Sequence, residues 1–335
     1  MKSKLPTRRS ATNTKPSVLL GLAAGDSLGQ PFETIGNTIH PDLAAWDGKY
    51  RDGNWKTRMT NTLDGQVPLR HLPAGSTTDD TDFAVALVDA LLMHGYYNPQ
   101  DAAMAYLHLA RLNLPNGMGG SLQKAMQALD RGKSWEESGV KFDDPAAVGN
   151  GAVMRVAPLA VYFHNENYAL METVRLDAVI THNHREAEAG NEIIAMIIAA
   201  GLDRQRSVNF TMGYESGYDD TLVFQTLARA RVCKTPDELF ATIGRRGNVA
   251  QTVATAVWCA DNCDNDFAAG IQMAVRGGGD TDTRAAITGA ILGARVGLDG
   301  IPAWMRDGLD GGSYGSERLI EMDAALVRGP GVAAE

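Results

Sequence analysis

Apolar residues recur at three- and four-residue spacing along most of this chain, the pattern of helices that bury one face. Ser17 stands before Val18, Leu19, Leu22 and Ala23 and predicts a capped helix there. Asp79 and Asp80 open a helix carrying Phe83, Leu87, Val88, Leu91 and Leu92, stopped by Gly95. Pro99 opens the next, through Met104, Leu107 and Leu109. Further helical runs are predicted over 122–129, 153–162, 170–180, 186–202, 222–232, 236–243, 249–259, 267–275 and 284–296. No strand alternation persists long enough to build a sheet. The expectation is an all-α fold, a single compact orthogonal bundle of about a dozen helices.

Two stretches break the pattern. Residues 34–74 are rich in Gly, Asn, Thr and Asp and hold Trp46 and Trp55; residues 203–220 hold Tyr214 and Tyr218. Loops this long inside a compact domain carry function or are disordered, and both are candidate walls of a cleft. With no repeat and no linker, the expected organisation is a flexible basic leader over 1–16, one helical domain over 17–310 and a C-terminal extension over 311–335.

Composition narrows the function classes. The 335 residues carry a formal net charge of -9, from 31 Lys and Arg against 40 Asp and Glu, a poor balance for binding nucleic acid. The one basic run, with Lys2, Lys4, Arg8, Arg9 and Lys15, lacks the apolar core of a signal peptide. No apolar stretch approaches a membrane span. Cys233, Cys259 and Cys263 form an odd set with no CxxC pair, which points to a reducing compartment and a cytoplasmic protein.

The candidate chemistry lies in two acidic clusters near opposite ends of the chain, Thr78-Asp79-Asp80-Thr81-Asp82 and Gly279-Asp280-Thr281-Asp282-Thr283. Thr and Asp are ordinary helix caps, and one carboxylate suffices for a cap. Several gathered acids repel, so a fold that brings them together neutralises them with hard divalent cations on oxygen ligands. A site with two Mg²⁺ or Mn²⁺ ions is expected, with Thr78, Asp79, Asp80, Asp280, Asp282 and Thr283 as ligands. Asp280 and Asp282 stand two apart in a loop, ahead of a helix expected to begin at Arg284. Glu33, at the end of Gly25-Asp26-Ser27-Leu28-Gly29-Gln30-Pro31-Phe32-Glu33, is either a solvated loop acid or a general base for a nearby water. Gly117-Met118-Gly119-Gly120-Ser121 and Gly149-Asn150-Gly151 are Gly-rich turns before helices, plain turns or phosphate cradles. In Thr181-His182-Asn183-His184 the histidines suit capping and cleft contact better than metal binding.

Taken in order, these motifs resemble those of the ADP-ribosylglycohydrolase family. The matching stretches are 25–33, 78–81, 117–121, 149–158, 181–187 and 278–290, spread from near residue 17 to near Trp304. The resemblance implies an all-helical fold with two Mg²⁺ or Mn²⁺ ions held by the six Thr and Asp residues above. It places Glu33, with Asp280, at the scissile bond. Gly117, Gly119, Gly120 and Ser121 fall where the family cradles diphosphate, with Gly149, Asn150 and Gly151 at the ribose and His182 toward the nucleotide. The implied reaction is hydrolysis of the bond between ADP-ribose and a protein side chain, arginine in the first instance, releasing ADP-ribose. An ADP-ribosyltransferase toxin is an expected source of the modification, and the basic leader an arm toward such a partner. The competing reading is a binding protein that holds ADP-ribose or neutralises an ADP-ribosyltransferase without turnover.

Overall fold

The computed structural model describes residues 15–33, 75–112, 117–141, 144–203 and 218–328. Both predicted cleft walls, 34–74 and the bulk of 203–220, lie outside the described residues, as does most of the basic leader.

The fold grows around one pair of antiparallel helices from the two ends of the chain. Helix α1 is Val18–Gly29 and is buried along its whole length. Its glycines recur every four residues, at 21, 25 and 29, and form a stripe without side chains. Against it lies the long helix Thr281–Gly300. A Cβ at Gly21 would stand 2.3 Å from the Gly289 carbonyl oxygen, one at Gly25 would stand 2.0 Å from that of Ala285, and one at Gly29 would stand 2.4 Å from that of Thr281. The facing helix answers with Gly289 and Gly293, where a Cβ would meet the carbonyls of Gly21 and Ser17. Contact this close is available only to glycine. Thr281 Oγ1 donates to the Gly29 carbonyl at 2.8 Å and closes the end of α1.

The other helices wrap this pair. In chain order the helices after α1 are α2 Asp79–His94, α3 Pro99–Arg111, α4 Gly120–Asp130, α5 Trp135–Ser138, α6 Ala157–Tyr162, α7 Asn167–Thr181, α8 Arg185–Leu202, α9 Leu222–Ala230, α10 Pro236–Ile243, α11 Val249–Asn262, α12 Phe267–Arg276, the central partner α13 Thr281–Gly300, α14 Ala303–Asp307 and α15 Ser316–Val327. The only sheet among the described residues is a parallel pair of two-residue strands, Val140–Lys141 against His182–Asn183. The fold is all-α, as the periodicity requires. No helix among the described residues is long and apolar enough to cross a membrane.

Three local expectations change. The 153–162 run divides into a 3₁₀ turn at Val153–Arg155 and α6, which Pro158 opens near its N-terminus. The last long helix begins at Thr281, not Arg284, so Asp282 and Thr283 sit in its first turn and Asp280 at its N-cap. Ser17 stands at the N-cap of α1 but gives it no side-chain cap. The free N–H groups go instead to Asp323 of α15, whose carboxylate accepts from Leu19 at 3.0 Å and from Leu20 at 3.3 Å. Helix α15 lies in the stretch set apart above as an extension, and it packs on α1.

Two stability predictions follow from this packing. Gly25→Ala must push α1 off Ala285, so we expect a loss of about 3 kcal/mol or more in urea unfolding. Asp323→Ala leaves buried N–H groups unpaired at the start of α1, and we expect a loss of about 2–3 kcal/mol by the same measurement.

Candidate functional site

Packing α1 on α13 brings the two acidic clusters together. Asp26, on the buried glycine-rich helix, is the organiser. Its carboxylate accepts from the Thr78 backbone N–H at 2.9 Å, Thr78 Oγ1 at 2.8 Å, the Thr81 backbone N–H at 3.2 Å and Thr81 Oγ1 at 2.6 Å. This holds the first turn of α2 against α1. Thr78 is the N-cap of α2 and is fully buried, behind the cavity wall. Its hydroxyl proton has Asp26 as the nearer acceptor, which leaves an oxygen lone pair on the side of Asp80. Thr283 Oγ1 lies 3.2 Å from carboxylate oxygens of both Asp80 and Asp280.

Asp26, Asp80 and Asp282 bring one carboxylate oxygen each to within 4.8 Å of one another, and Glu33, Asp280 and Asp282 do the same. Asp282 belongs to both groups. At that separation two negative charges repel by roughly 3 kcal/mol for an effective dielectric of ~20. The Asp80 carboxyl is held well above the usual carboxylate range by burial, then by the charges of Asp26, Asp79 and Asp280. Asp282 is raised the same way, by burial, then Glu33, Asp280 and Asp80. Asp80 Oδ1 is buried with no hydrogen-bond partner among the described residues. An orphaned carboxylate oxygen inside an oxygen-only cluster fits a hard divalent cation. Asp82, the third acid of its run, turns away and accepts a 2.8 Å hydrogen bond from the Tyr314 hydroxyl. Burial pushes it up to about 7, with the Tyr314 bond working in the opposite direction.

The acidic groups floor a cavity of about 750 Å³, within the range of small-molecule sites. Glu33, Asp79, Asp80, Asp280, Asp282 and Thr283 line one part of it, and Gly117, Gly119, Gly120, Ser121, Gly149, Asn150, Gly151 and His182 line another. Gly119 is the N-cap of α4 and supplies no side-chain cap, so the helix presents its first N–H groups there. The Asn150 side-chain amide donates to Asp280 Oδ2 and to Thr252 Oγ1, so this residue also orients a carboxylate. The two close histidines divide the roles expected of them. His184 Nδ1 accepts from the Glu186 N–H and caps α8, while His182 faces the cavity.

A third wall, Arg245 to Asn248, has no motif in the sequence. It reaches the site through an isolated antiparallel bridge between Gly149 and Asn248. The Arg245 carbonyl accepts from the Asp280 N–H and from buried Arg284 Nη1. Gly279 passes this carbonyl with φ 75°, and a Cβ there would stand 2.2 Å from its oxygen. Asp26 did carry a signal: it is the one acid in Val18–Gly29, an otherwise apolar and small-residue helix.

A family model described as ADP-ribosylglycohydrolase matches residues 17–332. An ADP-ribosylarginine hydrolase, Tri1, of Pseudomonas putida is 28% identical over 315 residues, spanning 88% of this chain and 74% of its own length. An uncharacterized protein of Archaeoglobus fulgidus is 29% identical over 282 residues, 83% of this chain and 86% of that one. Human ADP-ribosylhydrolase ARH3 is 24% identical over 269 residues, 68% and 73% of the two chains. A solved structure titled ADP-ribosylglycohydrolase-related protein complex superposes with a TM-score of 0.68 at 28% identity, covering 93% of this chain and 96% of that one. With a carboxylate-floored cavity at the junction of its two ends and a family match over nearly its full length, the chain belongs to the ADP-ribosylglycohydrolase family, hydrolases of the glycosyl bond to ADP-ribose.

Proposed function

We propose that this enzyme hydrolyses the N-glycosidic bond between ADP-ribose and an arginine side chain of a modified protein, with two Mg²⁺ or Mn²⁺ ions as cofactors. The observation that carries the reading is the meeting of Glu33, Asp280 and Asp282 in a cavity that also takes in the two Gly-rich turns. The relatives named as ADP-ribosylarginine hydrolases support the choice of acceptor.

Thr78, Asp79, Asp80, Asp280, Asp282 and Thr283 would hold the ions, with Asp26 fixing the geometry of the first three. Bound there, the ions supply Lewis-acid binding of ribose hydroxyls and of a water. Glu33 accepts the proton of the attacking water or relays it. The surrounding carboxylates favour positive charge building on the ribose as the bond to the leaving group lengthens. Backbone N–H groups from Gly119 to Ser121, at the start of α4, take diphosphate oxygens. Asn150 keeps Asp280 pointed at the reacting centre. Chemistry is thereby assigned to the 17–310 domain. The buried free thiols of Cys233, Cys259 and Cys263 support a reducing, cytoplasmic setting. Reversal of a modification made by an ADP-ribosyltransferase toxin is the role we assign, with ADP-ribosylated protein as partner.

The test is release of ADP-ribose from an arginine-modified protein. We expect release with Mg²⁺ or Mn²⁺, none after chelation, and a drop on the order of a thousandfold or more for Asp280→Ala. ADP-ribose binding without turnover on the arginine substrate, and cleavage of a serine-linked one, would move the acceptor to serine. Binding with no turnover on either would make the protein a binder. Glu33→Gln separates chemistry from binding: kcat should fall about a hundredfold or more while ADP-ribose affinity, measured by calorimetry, stays near that of the wild type.

A further inference from the structure

His182 lines the cavity although its residue is only 1% exposed, and the hydrogen bonds behind its ring discriminate between its two neutral forms. The key neighbour is Arg155, which is fully buried. Its Nε donates to Asp177 Oδ2 at 3.0 Å and its Nη2 to the Asp177 carbonyl at 2.9 Å. Its Nη1 donates to the Gly151 carbonyl at 2.6 Å and to Thr181 Oγ1 at 2.9 Å. Asp177 is held from the far side by the Tyr106 hydroxyl at 2.6 Å. A guanidinium only donates, so Thr181 Oγ1 is an acceptor in this contact.

His182 Nδ1 lies 2.9 Å from the same oxygen. If Nδ1 carried the proton, Thr181 Oγ1 would accept twice. Its own buried proton would then find no acceptor among the described residues. If Nδ1 is bare, the Thr181 hydroxyl accepts from Arg155 and donates to Nδ1, so both its roles are filled, and the ring proton sits on Nε2 at the cavity. Leaving a buried donor unmade disfavours the first arrangement by roughly tenfold or more.

We propose that Arg155 and Thr181 are positioning residues that fix His182 as the Nε2–H tautomer, so that it offers a neutral hydrogen-bond donor to an oxygen of the substrate. The inference rests on the reading of this cavity as an ADP-ribose site. Gly151 keeps the ring edge clear: a Cβ there would stand 2.9 Å from His182 Cε1 and 3.5 Å from Nε2. Because Arg155 also binds the Gly151 carbonyl, one guanidinium sets both the ring and the turn beside it. Burial and the Arg155 charge draw the imidazole down to about 3, so it stays neutral under working conditions. A neutral donor binds a phosphate or hydroxyl oxygen equally well across the neutral pH range.

The first measurement is the ¹⁵N spectrum of the histidine rings in the full-length wild type, with His182 assigned by its loss in His182→Gln. We expect a pyrrole-like Nε2 and a pyridine-like Nδ1; the reverse pattern overturns the proposal without any variant. The second measurement is ADP-ribose affinity of Thr181→Val and Thr181→Ser. Valine should erase the tautomer bias in the spectrum and weaken binding about five- to tenfold, and serine should restore both. A valine variant with wild-type spectrum and affinity overturns the proposal. Complete failure of the wild type to bind ADP-ribose would overturn the functional reading instead, and the spectrum would still decide the tautomer.

Discussion

The contact on which the rest of this molecule depends is backbone against backbone, between α1 and α13. Where glycines 21, 25 and 29 meet the carbonyls of 289, 285 and 281, no side chain separates the helices. The gain is the dense packing of two backbones, and the constraint is that neither helix can shift without a clash. Two segments more than 200 residues apart in the chain are thereby locked in register. Asp26 and Glu33 from one, and Asp280, Asp282 and Thr283 from the other, take fixed positions. Asp26 then passes the register on to α2, through four hydrogen bonds to Thr78 and Thr81. The metal-binding geometry we propose is therefore a consequence of helix packing, not of loop shape.

Against this apolar order the fold sets a group of buried carboxylates that raise one another's proton affinity. Such a cluster opposes folding when ionised, and natural proteins accept that conflict at functional sites. Two positive charges, Arg284 and Arg155, are fully buried behind the walls of the site, while Arg245 and Arg246 line it. Arg284 donates from Nη2 to the Gly278 carbonyl and from Nη1 to the Arg245 carbonyl, keeps a buried Nε with no partner among the described residues, and holds its guanidinium 5.0 Å from the centre of the Phe240 ring. Burial lowers it to about 10, while the charges of Asp280 and Asp282 pull the other way. Arg155 does the corresponding work under His182 and Gly151. Both arginines use directional N–H groups to hold turns in place, a task for which the planar guanidinium is suited.

Helix identity was legible in the sequence because it is a local property. Three- and four-residue spacing, caps such as Thr78 and stops such as Gly95 act within a few residues. Short or atypically capped segments were not legible. Trp135–Ser138 is one turn long, and Ser316–Val327 was absorbed into an extension because nothing local ties it to α1. Likewise Ser17 reads as a cap, yet Asp323 supplies the hydrogen bonds from 304 residues away. Of the motif residues proposed as ligands, Asp79, Asp80, Asp280, Asp282 and Thr283 line one cavity and Thr78 takes a place behind its wall; Asp82, of the same run but outside that set, faces Tyr314.

The sequence by itself determined that the chain is helical, that its carboxylates lie in two groups, and that Gly-rich turns precede the helices beside them. Those properties depend on neighbours a few residues apart. Only the tertiary structure decided which acids share a cavity, that Asp26 organises them, that Arg245 to Asn248 form a wall, and which side of the His182 ring meets Thr181. These depend on contacts between distant segments, and no local spacing encodes the distance between two backbones that close over a stripe of glycines.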